Sequence, residues 1–253
     1  MARKVLTVFK LSRWGPIQER VKYVQDAIAL AIGILQFALV VFMLRGPIRR
    51  YGFVLFYCLV QLGTSVGEIW VANAFGARSR VYWHMFWIDE IGLDLFLFLI
   101  LIVLSLRALH GHPLRPKAKR VLFGVALAAM TLPFVLFKGA FRTGAWYDHT
   151  SQLLNFGAAM LNLTLWSAII ATRQKDRQLP GTSSGFGIMA TGVAISYGLR
   201  RLGHGPGFVM TAGNTIFQLA HLAGAFVLCW AFRPRKKKEP SEAAPCLSQP
   251  TIG

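Results

Sequence analysis

Four carboxyl side chains lie inside long apolar stretches of the sequence, where an ionised group is costly. They are Glu68, Asp89, Glu90 and Asp94. A charged carboxylate at the centre of a bilayer costs about 2.5–3.5 kcal/mol or more, so such groups usually face a helix-bundle interior or a wet cavity. These residue types could hold a proton or a cation, or a neutral carboxyl group could bond to a neighbouring amide.

Other polar side chains recur at helical spacing and would share a face with these acids. Trp87, Glu90 and Asp94 fall on one stripe, with Asp89 beside it. Glu68 ends a stripe in the preceding apolar stretch, and Asn155, Gln218 and His221 mark stripes further along the chain. We predict that seven residues converge on one polar pocket as its ligand-binding side chains: Glu68, Trp87, Glu90, Asp94, Asn155, Gln218 and His221. For the amides, hydrogen bonds between membrane helices are the favoured explanation.

The elements that must position these side chains are membrane-spanning helices. The 253 residues are 55% hydrophobic and 15% charged, with a net charge of +18, and a soluble domain would carry about 25% charged residues. A span needs about 20 mostly apolar residues. Seven such stretches predict an all-α, polytopic bundle of seven transmembrane helices, at 26–45, 52–73, 81–106, 119–138, 151–172, 184–201 and 209–232.

The predicted bundle, residues 26–232, is flanked by two basic segments. Residues 1–25 are basic and form either an interfacial helix or the first turns of helix 1. Residues 233–253 are predicted to be a cytoplasmic tail that is basic at first and then disordered. The segments after helices 1, 3, 5 and 7 hold 16 Lys and Arg, whereas those after helices 2, 4 and 6 hold six. Basic loops favour the cytoplasm, so the loops predict an N-terminus outside and a C-terminus in the cytoplasm. The N-terminal segment disagrees, because it holds six Lys and Arg that would have to cross the membrane.

The chemistry of a cofactor or metal enzyme is not indicated. Residues 209–232 contain no Lys for a retinal Schiff base, and the three cysteines have no metal-ligand spacing. We therefore expect no cofactor, no resident metal and, on balance, no enzyme activity. His84 and His149, with Glu68 or Asp89, leave a divalent-cation site at the outer rim as a minor alternative.

The chain resembles a group of uncharacterised bacterial seven-helix membrane proteins. The resemblance covers most of the chain and is carried by YWHMFWIDE at 82–90, the apolar stretch that follows it, SQLLNF at 151–156, LW at 165–166, GFG at 185–187 and LCW at 228–230. It implies a multi-pass topology and a bacterial inner-membrane location. The group has no assigned activity, so no functional residues follow from it.

Several functions fit this sequence. The leading interpretation is a protein that binds or senses a small ligand or cation in an outward-facing pocket, closed on the cytoplasmic side by the apolar run from Leu95 to Val103. A proton- or cation-coupled transporter, a membrane-embedded metal-dependent hydrolase and a scaffold are the alternatives. The expected partners are the lipid bilayer, a small molecule or cation, and another membrane protein. No nucleic acid is expected, because the basic residues are spread between the apolar runs.

Overall fold

Long apolar stretches make helices here, even where a proline lies inside the helix, as Pro133 does in the helix Arg115–Leu136. The computed structural model describes residues 2–46, 48–76, 79–138, 143–172, 176, 178–202 and 208–234, with side chains from Tyr23 onward except at 48, 49, 201 and 208. Seven helices occur in these ranges: α1 Ala2–Leu44, α2 Ile48–Phe75, α3 Arg80–Ala108, α4 Arg115–Leu136, α5 Gly144–Thr172, α6 Gln178–Leu202 and α7 Phe208–Phe232. The prediction of an all-helical protein is confirmed.

Six of these helices are long and apolar enough to cross a membrane, within the part of the chain that is described. This finding agrees with a multi-pass membrane protein. The predicted sixth span, α6, is not among the six, because glycines and polar side chains lower its hydropathy. The first helix is longer than predicted: it begins at Ala2, and its apolar part covers Tyr23–Leu44. Of the predicted tail, only Arg233 and Pro234 lie within the described residues.

The helices form a ring in which α1 packs against α2 and α7, and α6 packs between α5 and α7. Helix α3 contacts α2, α4, α5 and α6, and therefore occupies the centre of the bundle. Among the described helices, α4 packs mainly on α3 and α5, and it leaves much of its apolar surface exposed.

Glycines allow the closest approach in the bundle, between α6 and α7. A Cβ atom on Gly185 would lie 2.6 Å from Cγ of Leu228 and 3.0 Å from the carbonyl oxygen of Gly224. Small residues at such positions let membrane helices pack backbone to backbone. The contacts of Gly185 therefore place the GFG segment at the packing surface between α6 and α7.

An apolar layer fills the middle of the bundle. Every residue of α3 from Leu97 to Leu104 is hydrophobic, and Leu97, Phe98, Leu101 and Leu104 are almost completely buried. This layer separates two polar regions, one around Asp94 and one around Asp176. We call the end of the bundle near Asp176, where α1, α3, α5 and α7 end, the C-terminal end.

Candidate functional site

A small polar cavity lies between α2, α3, α5, α6 and α7. Its volume is about 30 Å³, which is enough for one water molecule or a dehydrated ion but not for an organic ligand. The cavity is lined by Tyr57, Gln61, Glu90, Leu93, Asp94, Leu97, Asn155, Met189, Val193, Phe217 and His221. Four of the seven predicted site residues, Glu90, Asp94, Asn155 and His221, are thus brought to one place.

Asp94 is held by a hydroxyl group from α5. The Ser151 hydroxyl donates a hydrogen bond to Oδ2 of Asp94. Asp94 is buried, with only 8% of its surface exposed. The amide Nδ2 of Asn155 donates to the Ser151 carbonyl at 3.0 Å. Oδ1 of Asn155 is buried and has no hydrogen-bond partner among the described residues. An unpaired amide oxygen beside a carboxylate is an arrangement that attracts a positive charge or a water molecule.

Glu90 is held by a phenol group from α6. The Tyr197 hydroxyl donates to Oε1 of Glu90 at 2.7 Å. The guanidinium of Arg200 lies over the Tyr197 ring, 5.1 Å from its centroid, and attracts Glu90 electrostatically. Neither Glu90 nor Asp94 has a basic side chain within 4.0 Å in the described part of the chain. Both carboxyl groups are therefore satisfied by neutral donors.

His221 closes the cavity on the α7 side. Its Nδ1 lies 3.0 Å from the carbonyl oxygen of Phe217. A carbonyl oxygen only accepts, so Nδ1 carries a hydrogen and a neutral His221 ring keeps the lone pair of Nε2 free. Gln218, three residues before His221 on α7, does not line the cavity, although its buried Oε1 has no hydrogen-bond partner among the described residues.

The remaining two predicted site residues lie outside this cavity. Glu68 pairs with Asp89, which also contacts the Thr64 side chain, towards the end of the bundle opposite Asp176. Trp87 is buried by aromatic packing, with its ring stacked on that of Tyr147 at 5.2 Å between centroids. The predicted face of α3 is wide enough to meet two neighbours. Trp87 contacts α5, whereas Glu90 and Asp94 line the cavity.

His84 and His149, which the alternative cation site at the outer rim would use, each contact another residue. Nδ1 of His84 lies 2.8 Å from the Arg80 carbonyl oxygen of its own helix, and the ring of His149 stacks on Phe137. No group of three or more His, Cys, Asp or Glu side chains suited to a metal ion occurs within the described ranges.

The sequence reasoning missed two side chains that define the site, Ser151 and Tyr197. Ser151 lies one helical turn before Asn155, on the same face, so this spacing was the available signal. Tyr197 had no such signal, because its role depends on the packing of α6 against α3.

A second polar cluster, also missed, closes the C-terminal end. Oδ2 of Asp176 lies 3.0 Å from Nη2 of Arg50 and 3.5 Å from Nη2 of Arg107, and it accepts a hydrogen bond of 2.8 Å from the Tyr51 hydroxyl. Oδ1 of Asp176 accepts from the backbone N–H of Gln178. This cluster ties the segment before α6 to α2 and α3.

No known family model, curated protein or solved structure is similar to this chain. The resemblance to bacterial seven-helix proteins therefore stays a prediction, and the site is interpreted from its own geometry.

Proposed function

We propose that this chain is a proton-binding sensor protein of the bacterial inner membrane, and that the bound proton is shared by Glu90 and Asp94. The observation that carries the proposal is the burial of two carboxyl groups in one water-sized cavity, with neutral donors. Asp94 is bonded by the Ser151 hydroxyl and the Asn155 side chain, and Glu90 by the Tyr197 hydroxyl. Two like charges in one low-dielectric site cannot both be ionised without compensation.

The charges around Glu90 and Asp94 leave the pair one positive charge short of neutrality. Arg200 compensates for one of the two carboxylates from a distance, and no other basic side chain reaches them within the described residues. One proton on the pair leaves Glu90, Asp94 and Arg200 together without net charge, which lowers the cost of burying them. The negative charges of Asp89 and Asp148 also act on Glu90 and favour a bound proton further. The volume of the cavity favours a proton over the small organic ligand that the sequence interpretation also allowed.

A dehydrated monovalent cation is the second candidate for the same charge. The unpaired Oδ1 of Asn155 and the side chain of Gln61 offer oxygen ligands beside the two carboxylates. Hard cations prefer oxygen ligands of this kind. Sodium is the probe that distinguishes the two candidates, because it competes with protons only if it enters the cavity.

The proposed orientation makes the sensing one-sided. Seven spans, with α6 crossing between α5 and α7, bring the C-terminal end and its basic loops to the cytoplasm. The carboxyl pair then lies on the outer side of the apolar layer. The absence of polar side chains on α3 from Leu97 to Leu104 favours sensing over transport, because a transporter needs a polar path through both halves. A membrane-protein partner would bind differently to the protonated and the deprotonated forms of the bundle.

Infrared difference spectroscopy of the protein in lipid nanodiscs tests the proposal. Acidification is expected to produce the carbonyl band of a protonated carboxyl group, which shifts or disappears in Asp94→Asn and in Glu90→Gln. Glu68→Gln, outside the cavity, is the matched control and should retain the band assigned to the pair. A spectrum that is unchanged in both cavity variants would contradict proton binding there, and a sodium-dependent loss of the band would favour the cation.

A further inference from the structure

A groove of about 520 Å³ runs along the face of α6, between α5 and α7, away from the carboxyl pair. It is lined by Asn162 and Trp166 of α5 and by Ser184, Ile188 and Thr191 of α6, among others. Asn162, Ile188 and Thr191 are near the middle of their helices, whereas Trp166 and Ser184 lie nearer to the helix ends, within the apolar thickness of a membrane that the helices would cross. The volume is within the range of small-molecule sites, which is about 300–1,000 Å³.

Two glycines of α6 let neighbouring side chains approach its backbone at the edge of the groove. The Asn162 amide lies against Gly187, where a Cβ atom would collide with it, and Ala220 lies against Gly192 in the same way. Small residues along one face of a membrane helix are also typical of helix packing, so they do not by themselves define a ligand site.

The hydrogen bonds of the lining residues are what distinguish the groove. Hydroxyl groups elsewhere on the helices commonly donate to the carbonyl one turn earlier, as Ser167 does to Leu163 at 3.0 Å. The Ser184 and Thr191 hydroxyls have no hydrogen-bond partner within the described ranges, and both line the groove. Acyl chains cannot satisfy polar groups at this depth.

Asn162 is the third such group and the most buried, with 9% of its surface exposed. Its Oδ1 accepts a hydrogen bond of 2.7 Å from Ser183. Its Nδ2 has no partner among the described residues and lies at the wall of the groove. An amide nitrogen only donates, so the missing partner must carry an acceptor oxygen.

We propose that this groove binds a lipid-soluble quinone, meaning a planar ring with two carbonyl oxygens and a hydrocarbon tail. Asn162 and the two hydroxyls can all donate to carbonyl oxygens. Ser184 and Thr191 are about 10 Å apart along α6 at 1.5 Å per residue, so donors are available to both ends of a ring. The Trp166 side chain provides an aromatic surface for the ring, and the open side of the groove leaves the tail in lipid.

The test uses a benzoquinone with a decyl tail and the full-length protein in nanodiscs. Saturable quenching of tryptophan fluorescence is expected, with a dissociation constant that rises about two- to tenfold for each lost hydrogen bond in Asn162→Leu, Ser184→Ala and Thr191→Val. Ser167→Ala, whose hydroxyl bonds to its own helix, is the matched control and should bind like the unaltered protein. If Asn162→Leu fails to fold, the variants Ser184→Ala and Thr191→Val still test the proposal.

Three results would overturn the proposal. One is equal competition by decylbenzene, which has the tail but no carbonyl oxygens. Another is an unchanged dissociation constant in all folded groove variants. The third is efficient oxidative cross-linking of Thr191→Cys between two copies, in a background with Cys246→Ser, because it would show that a second copy of the chain fills the groove.

Discussion

The Ser151 hydroxyl donates a hydrogen bond to the Asp94 carboxylate and so joins α5 to α3 through two buried side chains. The same hydroxyl lies 3.4 Å from the Asn155 amide nitrogen, which can donate to it. Ser151 therefore connects the carboxyl pair to the amide that lines the same cavity, and it is the natural first position for mutagenesis.

Replacing Ser151 with Ala should destabilise the bundle by about 1–3 kcal/mol, because Asp94 loses its hydroxyl donor while it remains buried. The free energy of unfolding in mixed detergent micelles measures the effect. Ser167→Ala removes an exposed hydroxyl that bonds only to its own helix, and it should change stability by less than about 0.5 kcal/mol. Equal effects of the two variants would contradict the assigned contact.

The contact between Tyr197 and Glu90 predicts energetic coupling between α6 and α3. In a double-mutant cycle with Tyr197→Phe and Glu90→Gln, the coupling energy should be about 0.5–3 kcal/mol, as for residues in one hydrogen-bond network. Tyr147→Phe is the control, since Tyr147 packs against Trp87. Its coupling to Glu90→Gln should be close to zero, and strictly additive Tyr197 and Glu90 effects would argue against the bond.

The cluster around Asp176 should matter for stability at the C-terminal end. Asp176→Asn retains the shape but removes the charge that Arg50 and Arg107 share, and we expect a loss of about 1–2 kcal/mol. Arg50 is 58% exposed, so solvent screening reduces its part of that effect. The melting temperature in nanodiscs measures the loss. Asp26→Asn makes the same change of net charge on an exposed site and should leave the melting temperature almost unchanged.

The close approach of α6 and α7 predicts opposite effects of one substitution at two glycines of α6. Gly185→Ala places a methyl group against Leu228 and should cost about 1–3 kcal/mol through overpacking. Gly198→Ala has no atom within 4 Å of the new methyl group, and it should stabilise the helix by up to about 1 kcal/mol. Thermal unfolding of both variants distinguishes them, and the same sign of change at both positions would contradict the packing.

Hydropathy predicted the helices well because an apolar stretch of sufficient length has few alternatives in a membrane. The carboxyl residues Glu90 and Asp94 were also predictable, since their cost in an apolar stretch is visible in the sequence. Trp87 was grouped with them by helical spacing alone, and Glu68 by spacing and by its place in an apolar stretch. Neither signal tells which neighbour a helix face meets. Tyr197 and Asp176 were not predictable for the same reason: the Tyr197–Glu90 and Tyr51–Asp176 hydrogen bonds each join residues more than 100 positions apart in the chain.

The apolar layer on α3 has an electrical consequence once the bundle spans a membrane. A transmembrane voltage falls mainly across the region that excludes water and ions, and it acts on a full elementary charge with about 2.3 kcal/mol per 100 mV. A dielectric barrier from Leu97 to Leu104 would take up much of that drop. Protonation at Asp94 would then depend chiefly on the acidity of the facing compartment, and only weakly on how energised the membrane is.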